Sequence, residues 1–408
     1  MKDKSNYSSR WGIKKLGDVA ELNPKTAKDI LLDDLEVDFI PMRLVEEKTG
    51  EIAEPEKRKF HSVKQGYVSF ANNDILFAKV TPCMENGKIA IVNNLNNNIG
   101  FGSSEFHVIR VSEQILNSFL FYFLIRDKFR SEAAANMTGA VGLRRVPKQF
   151  LENYRLPVPP LSEQNQIVDK IEELFSELDA GRRQLESVKD LLKTYRQAVL
   201  KYAFEGRFTN GNVEKGQLAS EWRWISFGKM TNNYDGKRIP LSRHIRANRK
   251  GEFNYYGATG VVDQVDDYIF DGKYILIGED GANLLSKSRA LAFIVTGKFW
   301  VNNHAHVVQC KPEFDIEYLC HYFNSLELSH YITGSAQPKL TQAKLNSIPV
   351  CVPSLLEQEH IVRKIESRLS ECDKIKETAI FSMKQIEVLK QSILKQAFEG
   401  KLVKPQTT

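Results

Sequence analysis

The chain carries one plan twice, and that duplication limits its possible folds more than any other feature. At a constant offset of 194, residues 159–208 and 353–402 share 19 identities in 50 positions without a gap. The ends agree best. P-P-L-S-E-Q-N-Q-I-V-D-K-I-E from Pro159 meets P-S-L-L-E-Q-E-H-I-V-R-K-I-E from Pro353, and Q-A-V-L-K-Y-A-F-E-G from Gln197 meets Q-S-I-L-K-Q-A-F-E-G from Gln391. Upstream of each copy the likeness weakens but keeps its order. Trp11, Leu16 and Gly17 answer to Trp222, Phe227 and Gly228, residues 75–77 to 275–277, residues 107–109 to 306–308, and Thr138-Gly139 to Thr333-Gly334. Similar sequence at identical spacing implies similar structure, so the 408 residues divide as A-B-A′-B′. A is a diverged globular segment and B a better-kept one.

The B segments read as long helices. From Ile167, apolar residues recur at 4,3 spacing through Ile171, Leu174, Leu178, Leu185, Val188, Leu192, Tyr195, Val199 and Tyr202, with only Gly181 interrupting. A seam held over five heptads is a coiled-coil signature, because a 3.5-residue period keeps one stripe toward a partner helix. The second copy keeps the register at Ile361, Ile365, Cys372, Ile375, Ala379, Ile386, Leu389 and Ile393, and loses it at Arg368, Ser382 and Gln396. Prolines 159, 160 and 353 mark the starts, Ser354 with Glu357 spells a capping box, and Gly206 and Gly400 stand where a left-handed C-cap is wanted. A wet seam needs covering, and the other copy can cover it as an antiparallel partner.

The A segments carry short strand patterns at 75–80, 88–92, 105–111, 274–278, 290–295 and 306–310, followed by helical patterns at 115–129 and 316–331. Aromatics at helical spacing there (Phe119, Tyr122, Phe123; Tyr318, Tyr322, Phe323) are expected to pack on the sheets. The fold class is therefore α+β. Two similar mixed α/β globular domains (1–157 and 208–351) are each followed by a long spacer helix (158–207 and 352–405), and the two helices pair as an antiparallel coiled coil.

Between the strands lie polar loops, where recognition residues concentrate on a rigid scaffold. Residues 81–88 (T-P-C-M-E-N-G-K) offer groups suited to base edges and phosphates. The densest basic stretch is Lys237-Arg238, Arg243, Arg246 and Arg249-Lys250, and matching Gly-containing loops end in Arg144-Arg145 and in Gln337 and Lys339. The candidate DNA-binding residues are Lys79, Thr81, Asn86, Lys88, Arg144, Arg145, Lys237, Arg238, Arg243, Arg246, Arg249, Lys250, Gln337 and Lys339. The net charge of +6 is mildly basic and does not by itself require a nucleic-acid partner.

Several chemistries leave no trace. There is no G-x-x-x-x-G-K-[ST] loop for ATP, and Asn23-Pro24-Lys25 lacks the second proline and aromatic of an amino-methyltransferase tetrapeptide. Glu46 and Lys48 spell a nuclease-like E-x-K with no P-D pair before it, and Gly257-Ala-Thr-Gly260 is a lone glycine loop. His304 and His306 share a strand face with Cys310, Cys320 and His321 nearby, a spacing that fits no standard zinc site, so His306 is expected to be structural. Five cysteines without a C-x-x-C pair suit a reducing, cytoplasmic setting, and neither an h-region nor a spanning apolar run is expected.

These features together resemble the specificity subunit of Type I restriction-modification enzymes. The likeness rests on the duplicated plan, Pro160 to Gln164 (P-L-S-E-Q), Leu355 to Gln358 (L-L-E-Q), the A-F-E-G exits, Thr81-Pro82 with Glu85-Asn86-Gly87-Lys88, and Tyr256 to Gly260. It implies a non-catalytic reader of double-stranded DNA whose two target recognition domains each take one half of a bipartite, asymmetric site. It also implies methyltransferase subunits bringing S-adenosylmethionine, and restriction subunits bringing ATP- and magnesium-dependent cleavage, with no cofactor or metal on this chain. Two alternatives stand beside it: a coiled-coil protein-interaction scaffold without DNA binding, and a self-contained nuclease or methyltransferase.

Overall fold

The computed structural model describes residues 7–8, 10–25, 31–140, 142–210, 221–334 and 337–403. Contacts divide the chain into unit 1, Met1–Leu185 with Phe381–Thr408, and unit 2, Glu186–Ile380. Each unit therefore holds one globular segment, the start of one long helix and the end of the other. The expected boundaries at residues 1 and 405, and the beginning of the second globular segment over 211–220, lie outside the described residues.

In unit 1 the strands are β1 (Gly12–Lys15), β2 (Ala20–Leu22), β3 (Glu36–Ile40), β4 (Glu56–Lys59), β5 (Val68–Ala71), β6 (Ile75–Ala78), β7 (Ile89–Ile91), β8 (Ile99–Gly102), β9 (Phe106–Val111), β10 (Thr138–Ala140), β11 (Leu143–Arg145) and β12 (Arg155–Val158). They form two four-stranded sheets, β2-β9-β6-β7 and β4-β3-β8-β5, with β3 and β8 parallel, while β1 pairs β12 and β10 pairs β11. Unit 2 has β13 (Arg223–Ser226), β14 (Thr231–Asn233), β15 (Phe253–Gly257), β16 (Gly260–Val265), β17 (Phe270–Gly278), β18 (Ala292–Val301), β19 (Ala305–Cys310) and β20 (Pro349–Val352). Here one six-stranded sheet runs β14-β19-β17-β18-β15-β16, with β15 and β18 parallel, and β13 pairs β20.

The two topologies are the same. Long β17 corresponds to β5 plus β6, and long β18 to β7 plus β8. Unit 1 breaks each long strand. At the first break Asn73 adopts a left-handed φ of 71° and the buried Asp74 carboxylate accepts the Ala71 amide at 2.8 Å. At the second, Asn94, Asn97 and Asn98 turn the chain with positive φ. The sequence patterns at 75–80, 88–92 and 105–111 land on β6, β7 and β9; β3, β4, β5 and β8 carried no recognised signal.

The helices are α1 (Leu16–Val19), α2 (Asn117–Leu124), α3 (Asp127–Ala135), α4 (Lys148–Asn153), α5 (Leu161–Phe204), α6 (Phe227–Met230), α7 (Arg243–Asn248), α8 (Asn283–Ser286), α9 (Ile316–Ser325), α10 (Gln342–Ser347) and α11 (Leu355–Phe398). The helix expected over 115–129 is two: Arg126 is extended (ψ 139°), its Nε donates to the Phe123 carbonyl, and its guanidinium lies 3.7 Å over the Phe123 ring. The pattern at 316–331 ends as a helix at Ser325. Gly17 and Gly228 recur because α1 and α6 press on α4 and α10. A Cβ on Gly17 would sit 3.2 Å from the Glu152 carbonyl, and one on Gly228 would sit 2.8 Å from Asn346.

Both long helices form at 44 residues. Gly206 (φ 77°) and Gly400 (φ 70°) end them, with the following amides returning to the Tyr202 and Gln396 carbonyls as a Schellman motif requires. The capping box of α11 is half-made: the Ser354 hydroxyl accepts the Glu357 amide at 3.4 Å, but the Glu357 carboxylate turns away to Trp222, Thr209 and Asn210.

Side-chain pairs show the helices antiparallel in each unit. In unit 1 Lys390 reaches Asp179 at 2.6 Å and Arg182 reaches Glu387 at 3.3 Å. In unit 2 Arg196 pairs with Asp373, and Lys364 donates to the Phe208 carbonyl at 2.8 Å. The seam is uneven, however. Ile167, Ile171, Val199, Ile361, Ile365, Cys372, Ala379 and Ile386 are buried, whereas Tyr195, Tyr202, Ile375 and Leu389 are exposed.

The repeated motifs fasten helix to globular core. Gln164 is fully buried. Its carbonyl accepts the Leu116 amide at 2.8 Å, and its NH₂ donates to Pro159 and Gln114 carbonyls at 2.8 and 3.0 Å. Gln358 does the same in unit 2, accepting from the Asp315 amide at 2.9 Å and donating to the Pro353 carbonyl at 3.0 Å. At the A-F-E-G exits, Phe398 meets Phe119 and Phe123 edge-on at 5.0 and 5.2 Å, and Phe204 meets Tyr318 and Tyr322 at 5.2 and 5.0 Å. Each core thus closes around the start of one helix and the end of the other.

Removing the clasp leaves buried amides unpaired, which costs about 1–3 kcal/mol each. Gln164→Ala and Gln358→Ala are each expected to lose about that much stability in urea unfolding, whereas exposed Asn165→Ala is expected to change it by less than about 0.5 kcal/mol.

Candidate nucleic-acid interface

In both units a tight loop leads back to the sheet, and a buried histidine holds its base. In unit 1, β10 and β11 form a hairpin after which the Val146 amide bonds the Lys79 carbonyl at 2.8 Å, and the Thr81 amide bonds the Arg144 carbonyl at 3.0 Å. In unit 2 Thr333 and Lys339 exchange backbone bonds, the Leu340 amide meets the Glu279 carbonyl at 2.8 Å, and the Gly281 amide meets the Pro338 carbonyl at 3.0 Å. Arg144 and Arg145 therefore occupy the places of Pro338 and Lys339. Gly334 (φ 85°) is required because a Cβ there would strike the Gln337 carbonyl at 2.6 Å. The loop interiors at 141 and 335–336 lie outside the described residues.

His107 on β9 and His306 on β19 are the struts. His107 Nε2 meets the Val146 carbonyl at 2.9 Å and its Nδ1 faces the Asn23 amide nitrogen at 3.3 Å. His306 Nε2 meets the Leu340 carbonyl at 2.8 Å and its Nδ1 faces Asp235 at 2.6 Å. Asn23 and Asp235 also accept the amides of Val108 and Val307 at 2.9 and 2.8 Å. Burial pushes the Asp235 carboxyl up, but the hydrogen bonds of His306, Val307 and Asn233 outweigh it and hold it below its ordinary value. Glu279 is likewise raised by burial and more strongly lowered by Arg238, His306 and Lys339.

The candidate residues separate by what they touch. Lys88 donates inward to the Val45 carbonyl at 2.8 Å, and Arg238 is bound to Glu279 at 2.6 Å and to the Ala305 carbonyl at 2.7 Å, so both brace the fold. Lys79 is half-buried, and burial lowers its pKa. Thr81 bonds Glu85 at 3.2 Å, and Asn86 donates to Glu47 at 2.8 Å from an exposed position. Arg145 forks onto Glu105 at 2.8 and 2.6 Å, while Arg144 stands 3.9 Å from Glu85. On and after α7, Arg246 and Lys250 share Asp263, and Arg249 takes Asp266. Lys339 pairs with Glu279 at 3.1 Å. Lys237, Arg243 and Gln337 are exposed, with Lys237 5.0 Å from the Tyr234 ring centre.

Among the described residues the one potential metal group is Asp235, Glu279 and His306, and Arg238 and Lys339 already neutralise it. His304 pairs with Asp280 instead, and burial raises the Cys310 and Cys320 thiols to about 12. Gly257 and Gly260 bound the β15–β16 hairpin turn. Sequence reasoning missed Asn23 and Asp235 as strut partners, although the similar strings N-P-K and D-G-K carried a signal. Glu105 and Glu279 left none, since they come from different elements.

The family model described as the Type I restriction modification DNA specificity domain matches residues 8–188 and again 220–383, and the chain belongs to that family. Among curated relatives, it is 38% identical over 218 residues to the Type I restriction enzyme EcoAI specificity subunit of Escherichia coli, covering 53% of this chain and 36% of that protein. It is 34% identical over 219 residues to the EcoEI specificity subunit of the same species, covering 53% and 35%. The matches thus span about a third of those relatives' lengths. In fold it is similar to a chain from a structure on complex assembly and conformational transition of the type I R-M system, with a TM-score of 0.77 at 19% identity over 97% of this chain and 99% of that one. No helix among the described residues is long and apolar enough to cross a membrane.

His107 supplies a pH test. Burial lowers its pKa from 6.5, against the pull of the Val146 carbonyl, and burial lowers His321 likewise. A histidine that protonates more readily when unfolded leaves stability intact above about pH 6.5 and drains it as pH falls below that value. The melting temperature is expected to hold above about pH 6.5 and to drop as pH falls toward about 5, less steeply in His107→Gln.

Proposed function

We propose that this chain is the non-catalytic, sequence-reading subunit of a Type I restriction-modification complex. Each unit reads one half of a bipartite, asymmetric site in double-stranded DNA, and α5 with α11 sets the gap between the halves. The observation that carries this reading is the pattern of divergence: two globular segments of one topology whose loops differ, on helix segments that stay alike. Two unlike readers can take two different half-sites, whereas identical readers would demand a palindrome. Phosphate contacts from exposed cations such as Arg144, Lys237 and Arg243 would give affinity and register, and side chains such as Asn86 and Gln337 would reach base edges.

Methyltransferase and restriction subunits are the proposed partners. They would bring S-adenosylmethionine, ATP and magnesium, and the complex would act in the cytoplasm. Exposed apolar side chains on the helices, Leu191 and Ile375 in unit 2 and Phe381 and Val388 in unit 1, suit docking of partner helices.

Selection from a random-sequence duplex library is expected to enrich one asymmetric, two-part motif. A protein scaffold without DNA binding would enrich nothing, and an enzyme would cut or methylate DNA when supplied with magnesium and labelled S-adenosylmethionine. Adding one heptad to both α5 and α11 lengthens the helices by about 10 Å. The selected gap is then expected to grow by about 3 base pairs at roughly 3.4 Å each with both half-sites unchanged; an unchanged gap contradicts the ruler.

A further inference from the structure

Most of the candidate cations are already held by carboxylates. In unit 1 Glu105 receives both arms of the Arg145 guanidinium. In unit 2 Asp263, on edge strand β16, receives Arg246 at 3.1 Å and Lys250 at 2.5 Å. The hydrogen bonds of Lys250, of the Gln264 amide and of Arg246 hold its carboxyl down at about 2. Each basic element has other anchors. The hairpin of Arg145 is closed by backbone bonds and His107, and the segment carrying α7 is also tied down by the Leu241 amide on the Tyr255 hydroxyl at 2.9 Å, by Arg246 over the Tyr255 ring and by Arg249 on Asp266 at 2.8 Å.

The duplication supplies an internal comparison. Arg145 and Lys339 hold the same place in the two units, yet their acids come from different elements: Glu105 just before β9, and Glu279 just after β17. Two diverged copies have reached the same pairing by separate routes. A bidentate carboxylate presents an arginine with two acceptors side by side, as guanine O6 and N7 do in the major groove. It also removes a positive charge that would otherwise bind any phosphate backbone. Arg145 and Lys250 are the solvent-facing members of these pairs, and ion pairs with a solvent-facing member contribute little stability, so a correct partner can displace them.

Resting on the DNA-reading role proposed above, we infer that Glu105 and Asp263 are specificity-determining guards: they keep Arg145 and Lys250 from binding duplex without regard to sequence, while Arg246, like Arg238, braces the fold. Each cation released to a phosphate steepens the fall of log K with log salt by about 0.9.

The test measures binding of the full chain to a labelled random-sequence duplex between about 50 and 200 mM salt. The variants are Asp263→Asn, Glu105→Gln, the double Asp263→Asn/Lys250→Gln, and Glu359→Gln as an equal charge change on exposed α11 surface. Asp263→Asn and Glu105→Gln are each expected to bind tighter with a slope steeper by about 0.9, while Glu359→Gln leaves the slope unchanged and the double returns to wild type or below. Slopes for Asp263→Asn and Glu105→Gln equal to that of Glu359→Gln, in folded variants, overturn the guards and leave the DNA reading standing. A wild-type chain that retains no duplex at low salt overturns the reading itself.

Discussion

A single buried glutamine in each unit holds the rest of the structure in place. Gln164 and Gln358 each sit at the first turn of a 44-residue helix and tie it to the loop before the aromatic helix of the globular core. The side chain both accepts and donates, so it satisfies a loop amide and the prolyl carbonyl that precedes the helix. An apolar residue of equal size would bury the same area and leave those groups unpaired. The opposite end of the other helix is pinned by a phenylalanine, and the globular core packs over both.

Within that frame the loops proposed to read DNA are braced from beneath. His107 and His306 span from β9 and β19 to the residue after each loop, with Asn23 in one unit and Asp235 in the other completing the strut. The substitution of amide for carboxylate changes the charge of the strut and leaves its geometry alone. Loop sequence can then vary without moving the loop base, as the proposed reading of two different half-sites requires. The modest net charge of +6 fits the same picture, because cations on the loops are largely matched by nearby acids.

The sequence made the duplication, the long helices and their caps legible, because these depend on local periodicity and on motifs at fixed spacing. Strands β6, β7, β9, β17, β18 and β19 were also readable as apolar runs. The edge strands β4 and β16 are polar or half-exposed and take their conformation from their neighbours in the sheet. The seam was only partly readable: Tyr195 and Ile375 keep the period yet are exposed, since period alone does not say how much surface a neighbour covers. The cations were easy to name and hard to interpret. Arg145 lies 40 residues from Glu105 and Arg238 lies 41 from Glu279, so nothing local distinguishes a brace from a free contact.

The central claim is that two readers of one topology take two different half-sites. Replacing residues 222–352 with a second copy of residues 11–158 gives a chain with two identical readers. In duplex selection, its motif is expected to become a palindrome built from one half of the wild-type site. Persistence of the original asymmetric motif would contradict the account.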